Sequence, residues 1–243
     1  MAKYGLLGRN IAYSFSKTFF SLKFERDSLP HTYQNFDIPC IENFEKLISE
    51  NQDIQGMNVT IPYKEEIIPY LFNLDGDSKK IGAVNTIKFR KDGKLIGYNT
   101  DHYGFATALS HFLPIKEKTA LILGTGGASK AVKYVLDALG FQYQSVSRNP
   151  TETTITYNDL SRAILKNHYL IVNCTPLGTS PNTHQAPNIP YEYVGEDHLL
   201  FDLIYNPRET EFMKRGASQG ARVSNGFEML KHQALKSWSI WNS

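Results

Sequence analysis

"TALILGTGGASKAVKYVLDALG", Thr119–Gly140, decides how this chain folds. "TALILG" is a short apolar run of strand length that meets a glycine-rich turn. "ASKAVKYVLDALG" then has apolar residues at helical spacing and ends on Gly140, a natural helix stop. Strand, turn and helix in that order open a dinucleotide-binding sheet. Gly124 and Gly126 match the first two glycines of its fingerprint, which permit a tight turn and close backbone approach to a pyrophosphate. A helix starting near Ala128 points its unpaired N–H groups at phosphates. Ser129 stands where the third glycine is expected. The turn alone therefore also suits a Rossmann-like domain that binds nothing, and its strand-turn-helix context favours binding.

Outward toward the C-terminus, "FQYQSVS", "HYLIVNC", "HLLFDLIY" and "ARVSN" read as four further strands. Helical segments fall at "YNDLSRAILK" and "ETEFMKRGASQ". Strands alternating with helices predict parallel βαβ units. An NAD-binding sheet usually has a carboxylate at the end of its second strand. Here "SVSRNP" brings Ser147, Arg148 and Asn149 instead. An arginine at that place suits a 2′-phosphate through charge-assisted hydrogen bonds, so NADP is the expected cofactor. Simple solvation of Arg148 is the plainer alternative.

Toward the N-terminus the pattern changes. "KYGLLG" is strand-like, and Ser16 is placed to cap the helix "KTFFSLKFERDSL". "HTYQNFDI" and "CIENFEKLISE" follow as strand and helix. "IQGMNVTI" is a third strand, with Met57, Val59 and Ile61 expected in the core and Pro62 ending it. "AVNTIKFR" and "KLIGYNT" form a hairpin across Asp92-Gly93. "DHYGFATALSHF" is helical, with Asp101 a candidate cap. The last helix, "GFEMLKHQALKSWSIW", has apolar residues on more than one face and is expected to return to the first domain. The fold class is α/β with two domains. Residues 1–100 with 227–243 form an N-terminal α/β domain, and residues 101–226 form a Rossmann-like, doubly wound dinucleotide-binding domain.

Composition narrows the partners. The 243 residues are 41% hydrophobic and 21% charged, with a net charge of +2 and no basic stretch, so nucleic acid is not an expected partner. No apolar run approaches a membrane span, and "MAKYGLLGRN" does not read as a signal peptide, so a cytoplasmic location is expected. Two distant cysteines and seven scattered histidines offer no metal-type spacing, so no metal is expected. The glycosylation-like triplets at Asn58 and Asn173 are read as accidental.

Polar residues collect at strand ends and turns. Ser14 and Ser16 follow the first strand and could hold a carboxylate, although Ser16 could serve only as a cap. Asn58, Thr60 and Lys64 follow the third strand; Asn85 and Asp101 lie in "AVNT" and "GYNTD". Lys64 also reads as a solvated lysine in "YKEE". A ketone reductase nonetheless needs a donor for the developing alkoxide and a polar partner to orient it, and a lysine beside a carboxylate supplies both.

Taken together, these segments resemble the shikimate dehydrogenase family nearly end to end. "NVTIPYKE" is the most specific match; "YSFSKT", "GAVNT", "GYNTD", "LGTGGASKA", "VNCTPLG", "FDLIYNPRET" and "NGFEMLKHQA" resemble further family motifs in the family's order. The resemblance implies NADP-dependent, reversible reduction of 3-dehydroshikimate to shikimate, with the site between the two domains. It implies that Lys64 and Asp101 are the catalytic pair. Ser14 and Ser16, with Tyr205, would bind the substrate carboxylate. Asn58, Asn85 and Gln233 would meet ring hydroxyls, and Thr60 would line the pocket. Gly124, Gly126, Gly127, Ala128, Ser147, Arg148, Asn149, Thr175 and Gly226 would contact the cofactor. Monomer or homodimer is expected.

There are departures. Asn10 stands where the family commonly has proline, "SRNP" replaces Asn-Arg-Thr, and Cys174 occupies the place of a small residue and is read as packing. The alternatives are an NAD-using quinate/shikimate dehydrogenase and a dinucleotide-binding sensor without turnover. The missing carboxylate after "SVS" argues against the first, and the presence of both Lys64 and Asp101 argues against the second.

Overall fold

A computed structural model describes residues 1–11 and 14–243. The chain forms two compact units, Met1–Thr100 with Ala234–Ser243, and Asp101–Gln233.

The first unit contains β1 (Lys3–Gly8), α1 (Phe15–Arg26), β2 (Thr32–Asp37), α2 (Phe44–Glu50), β3 (Ile54–Val59), β4 (Asn73–Leu74), α3 (Gly76–Ile81), β5 (Thr86–Phe89) and β6 (Leu95–Tyr98). Its sheet runs β2-β1-β3-β5-β6-β4. β1 lies parallel to β2 and β3, whereas β5 runs antiparallel to β3 and β6. Alternation sends Tyr4 and Leu6 of β1 into one core with Phe20, Tyr33 and Trp241, and Leu7 into another with Phe36, Met57 and Ile87. With both faces covered, β1 is buried from Tyr4 to Gly8 rather than at every second residue.

The second unit contains α4 (Asp101–Ser110), β7 (Thr119–Leu123), α5 (Gly127–Ala138), β8 (Gln142–Val146), β9 (Thr154–Ile155), α6 (Arg162–Lys166), β10 (Leu170–Asn173), β11 (Leu199–Asp202), α7 (Glu211–Ser218) and β12 (Arg222–Ser224). α8 (Phe227–Trp241) closes the chain. The sheet order is β12-β11-β10-β7-β8-β9, with every pair parallel. This is the doubly wound order of a dinucleotide-binding sheet. Ala120 and Ile122 of β7 face one core, Leu121 and Leu123 the other.

Several expectations change. β3 ends at Val59, and Ile61 is 66% exposed rather than buried. Past β3, Thr60 N–H donates to the Leu7 carbonyl at 2.9 Å and Arg9 N–H to the Ile61 carbonyl at 3.3 Å; the chain turns here, with Tyr63 N–H donating to Thr60. Tyr63 is the next core side chain. "YNDLSRAILK" is not one helix. A capping box between Thr156 and Asp159 closes a single 3-10 turn, Leu160 is extended, and α6 starts anew from the Ser161 cap. Three short elements, β4, α3 and β9, lay outside the sequence reading. The first compact unit ends at Thr100 and resumes at Ala234, inside α8. Met229 packs into the second unit's core with Phe105 and Phe201, while Ala234 and Trp241 pack with Tyr4 and Phe20.

Candidate active site

In the second unit the chain leaves β7 toward β8 and β9, then returns to β10 on β7's other side. In such sheets ligands bind outside the carboxyl ends of the strands at this reversal. Gly124, Gly126 and Gly127 follow β7, Ser147, Arg148 and Asn149 follow β8, Thr175 follows β10, and Gly226 follows β12. These eight expected cofactor residues sit at carboxyl ends, and the ninth, Ala128, lies in the first turn of α5. Gly124 has φ +101°, a conformation open to glycine, and a Cβ there would stand 3.0 Å from the Thr175 methyl carbon. The two loops beside the reversal are thus in contact. Gly226 is needed for close approach: a Cβ would meet the Leu203 carbonyl, while its N–H donates to Ile204 O at 2.9 Å.

α5 begins at Gly127, one residue earlier than expected, and its N-cap Gly126 offers no side-chain acceptor. The first turn carries no acidic residue. A phosphate fits this helix end, since the dipole and the first N–H groups favour an anion. Ser129, in place of the third glycine, is buried, and its hydroxyl donates to Gly126 O at 2.7 Å. Arg148 and Asn149 are exposed at the end of β8, and Asn149 N–H donates to the Ser147 hydroxyl at 3.2 Å. Cys174 is packed, and burial pushes its thiol up, which keeps it from being a thiolate nucleophile. Tyr205 is half-buried after β11; Asp101 and Gln233 are buried, the first as the opening residue of α4 and the second in α8. Asp101 therefore lies within the first turn of its helix rather than at the cap before it.

In the first unit the helix cap is Ser14, not Ser16: Ser14 Oγ accepts from Lys17 N–H at 3.3 Å. Lys17 lies three residues on, which suits an extended cap residue just before the first turn. Ser16 is buried inside that turn, within hydrogen-bonding reach of Tyr33. The Tyr33 hydroxyl donates to Asn58 Oδ1 at 2.8 Å. Asn58 Nδ2 donates to Asn85 O at 3.2 Å, Thr86 Oγ1 at 3.1 Å and Ser237 Oγ at 3.0 Å. Both N–H groups of the Asn58 amide are therefore engaged within the protein, and its Oδ1 already accepts one bond. Asn85 is held in turn, its Oδ1 accepting from Thr100 N–H at 2.6 Å. Ser237 and Thr100 stand 3.1 Å apart through their hydroxyl oxygens. Thr60 and Lys64 lie past β3, both half-buried, and the Lys64 carbonyl accepts from Val84 N–H at 2.7 Å. Lys64 belongs to the first unit and Asp101 to the second.

Asn10 also finds its explanation. It has φ +58°, unavailable to proline, and its N–H donates to Asp37 Oδ1 at 3.0 Å. A hydrogen bond to β2 thus holds the turn where proline would stiffen it.

Sequence reasoning missed Tyr33, Thr86, Thr100 and Ser237 in the first unit, and Asn173, Asp202 and Thr210 in the second. Most carried no signal, since small hydroxyls occur everywhere. Asp202 did carry one, as a carboxylate ending the apolar run "LLF".

A doubly wound parallel sheet with a glycine turn and an uncapped helix end at its reversal defines a Rossmann-class dinucleotide-binding unit, here joined to a separate α/β unit. Residues 6–87 match the family model described as the shikimate dehydrogenase substrate binding domain. The chain is 39% identical to the shikimate dehydrogenase (NADP(+)) of Clostridium beijerinckii, covering 99% of this chain and 92% of that protein. It resembles the crystal structure of the Aquifex aeolicus shikimate dehydrogenase with a TM-score of 0.88 and 32% identity, covering 100% of this chain and 92% of that one. The Thermus thermophilus shikimate 5-dehydrogenase, solved in complex with NADP(H) and shikimate, matches with a TM-score of 0.87 and 29% identity, over 99% of this chain and 93% of that one. The chain belongs to the shikimate dehydrogenase family. Among the described residues no helix is long and apolar enough to cross a membrane, and no group of three or more His, Cys, Asp or Glu could hold a metal ion.

Proposed function

We propose that this chain catalyses the reversible, NADP-dependent reduction of 3-dehydroshikimate to shikimate, in the cytoplasm, as a monomer or homodimer. The observation that carries this is the 39% identity to an NADP(+) shikimate dehydrogenase across 99% of the chain. Supporting it, Arg148 is exposed at the end of β8 with no carboxylate beside it. The pyrophosphate would lie on the turn Gly124–Gly127 and the first N–H groups near Ala128. Arg148, flanked by Ser147 and Asn149, would hold the 2′-phosphate. Thr175 and Gly226 would shape the far side of the crevice.

In this proposal Ser14, Ser16 and Tyr205 bind the substrate carboxylate. Ser14 accepts one bond as a helix cap, so its own proton remains available to donate. Asn85 and Gln233 meet ring hydroxyls, Thr60 lines the pocket, and Asn58 supports Asn85 from behind. NADPH, when bound, supplies the hydride. Lys64 gives a proton or positive charge to the oxygen that becomes the alkoxide, gaining most of its interaction as charge grows there. Asp101 orients Lys64 and the adjacent hydroxyl.

The test is turnover of purified protein with shikimate and NADP+, followed by NADPH absorbance, beside NAD+ and quinate as alternatives. Shikimate with NADP+ is expected to be the best pair. Faster turnover with NAD+ and quinate would replace this assignment with the quinate/shikimate alternative. Cofactor binding without turnover would make the protein a sensor.

A further inference from the structure

Asp202 ends β11 with no exposed surface. Three donors meet its two carboxylate oxygens. Asn173 Nδ2 and Ile204 N–H each donate to Oδ1 at 3.0 Å, and the Thr210 hydroxyl donates to Oδ2 at 2.6 Å. Two of these donors lead onward to the crevice. Asn173 turns its amide oxygen away from Asp202, where it accepts from Thr175 N–H at 3.0 Å and from the Thr175 hydroxyl at 2.7 Å. The Ile204 carbonyl accepts from Gly226 N–H at 2.9 Å. One buried carboxylate thus lies behind both Thr175 and Gly226. Thr175 in turn packs its methyl group toward Gly124 of the glycine turn.

The chemistry of the group matters. The two ends of an asparagine amide have nearly the same shape, and neighbours decide which way it faces. An ionised carboxylate only accepts, so it obliges Asn173 to turn its NH2 toward Asp202 and its oxygen toward Thr175. The Thr175 hydroxyl has already given its proton: it donates to Asn173, and it accepts from Leu177 N–H at 3.3 Å. Thr175 then serves a cofactor by where its loop lies. With an amide at position 202, Asn173 can turn over, and Thr175 N–H would face another N–H group.

We propose that Asp202 is a positioning residue for the cofactor crevice, setting the Thr175 and Gly226 loops through Asn173 and Ile204 for NADP(H). This rests on the NADP assignment proposed above.

Asp202→Asn tests it by fluorescence titration with NADP+ and by steady-state kinetics. The expected result is a Kd for NADP+ raised about tenfold, the scale of one lost charge-assisted bond. The KM for shikimate at saturating NADP+ should change less than about twofold, a split that general loosening of the fold would not produce. Asn173→Ala should act alike, and the double variant should be no weaker than the worse single one. Should Asp202→Asn not fold, Thr210 carries the test. Thr210→Ser keeps the hydroxyl and should keep wild-type affinity, while Thr210→Val should weaken NADP+ about threefold. Unchanged NADP+ affinity, equal losses for cofactor and shikimate, or additive effects would overturn the inference. A wild-type protein that binds no NADP+ would overturn the cofactor assignment itself, and the inference with it.

Discussion

The two units frame their polar sites differently. In the first, the buried frame is neutral: Tyr33, Asn58, Asn85, Thr86, Thr100 and Ser237 are all amides or hydroxyls, and the cation Lys64 is kept half-buried. In the second, the frame is built around the buried carboxylate Asp202, and the cation Arg148 is kept at the surface. Neutral groups can both give and accept, so the bonds these six residues make to one another do not depend on pH. A buried carboxylate imposes one direction on every donor around it, but it must be ionised to do so, at a desolvation cost. One unit thus holds its frame by mutual satisfaction, the other by a single accepting charge.

The largest expected effect lies at the rim of the neutral frame. Lys64→Met keeps length and removes charge, and turnover should fall about 10²–10⁴-fold with less than a roughly tenfold change in KM. Asp101→Asn should act in the same direction. Steady-state kinetics with shikimate and NADP+ measures this, with cofactor titration as the check on folding. Near-normal turnover of Lys64→Met would make that lysine an ordinary solvated charge, and the division between frame and rim would lose its meaning.

The next effect separates the frames by pH. Burial pushes the Asp202 carboxyl up to about 6, against the pull of its hydrogen-bond donors. A raised folded-state pKa means that this group's stabilisation is complete below its unfolded value near 3.8 and is lost as pH rises through about 6. That amounts to about 3 kcal/mol. Urea unfolding between pH 4 and pH 8 should therefore show wild type losing stability relative to Asp202→Asn as pH rises. Parallel pH curves for the two proteins would refute the buried-charge account.

Arg148→Ala should raise the KM for NADPH by about 10–100-fold and leave the KM for NADH nearly unchanged, the cost of charge-assisted bonds to one phosphate. Equal changes for both cofactors would return Arg148 to simple solvation. The smallest effect tests the neutral frame. Ser237→Ala removes a hydroxyl shared by Asn58, Thr86 and Thr100, and unfolding free energy should drop by about 1–3 kcal/mol, equally at pH 5 and pH 8. A loss that varies with pH would mean that this network contains a charge after all.

Local chemistry made much of this chain legible in one dimension. The run "TALILG" and the glycine turn predict strand and helix because a buried parallel strand must be apolar on both faces and only glycine relaxes at Gly124. The hairpin at Asp92-Gly93 and the helix stop at Gly140 depend on similarly local preferences. Lys64, Asp101 and Arg148 could be singled out because each follows a strand end. Tertiary structure alone decided what those strand ends face. Ser14 rather than Ser16 caps α1, because the cap depends on where the helix enters its unit. Ile61 lies outside because the chain turns at Thr60, where Tyr63 N–H donates to the Thr60 carbonyl and Tyr63 takes the core position. Ser237 sits in sequence 137 residues from Thr100 and 179 from Asn58, yet bonds to both. Asp202 stands behind Thr175 and Gly226 only once three parallel strands lie side by side. Helix, turn and cap preferences act over a few residues and can be read from them, whereas a buried hydrogen bond joins whatever the fold brings within 3 Å.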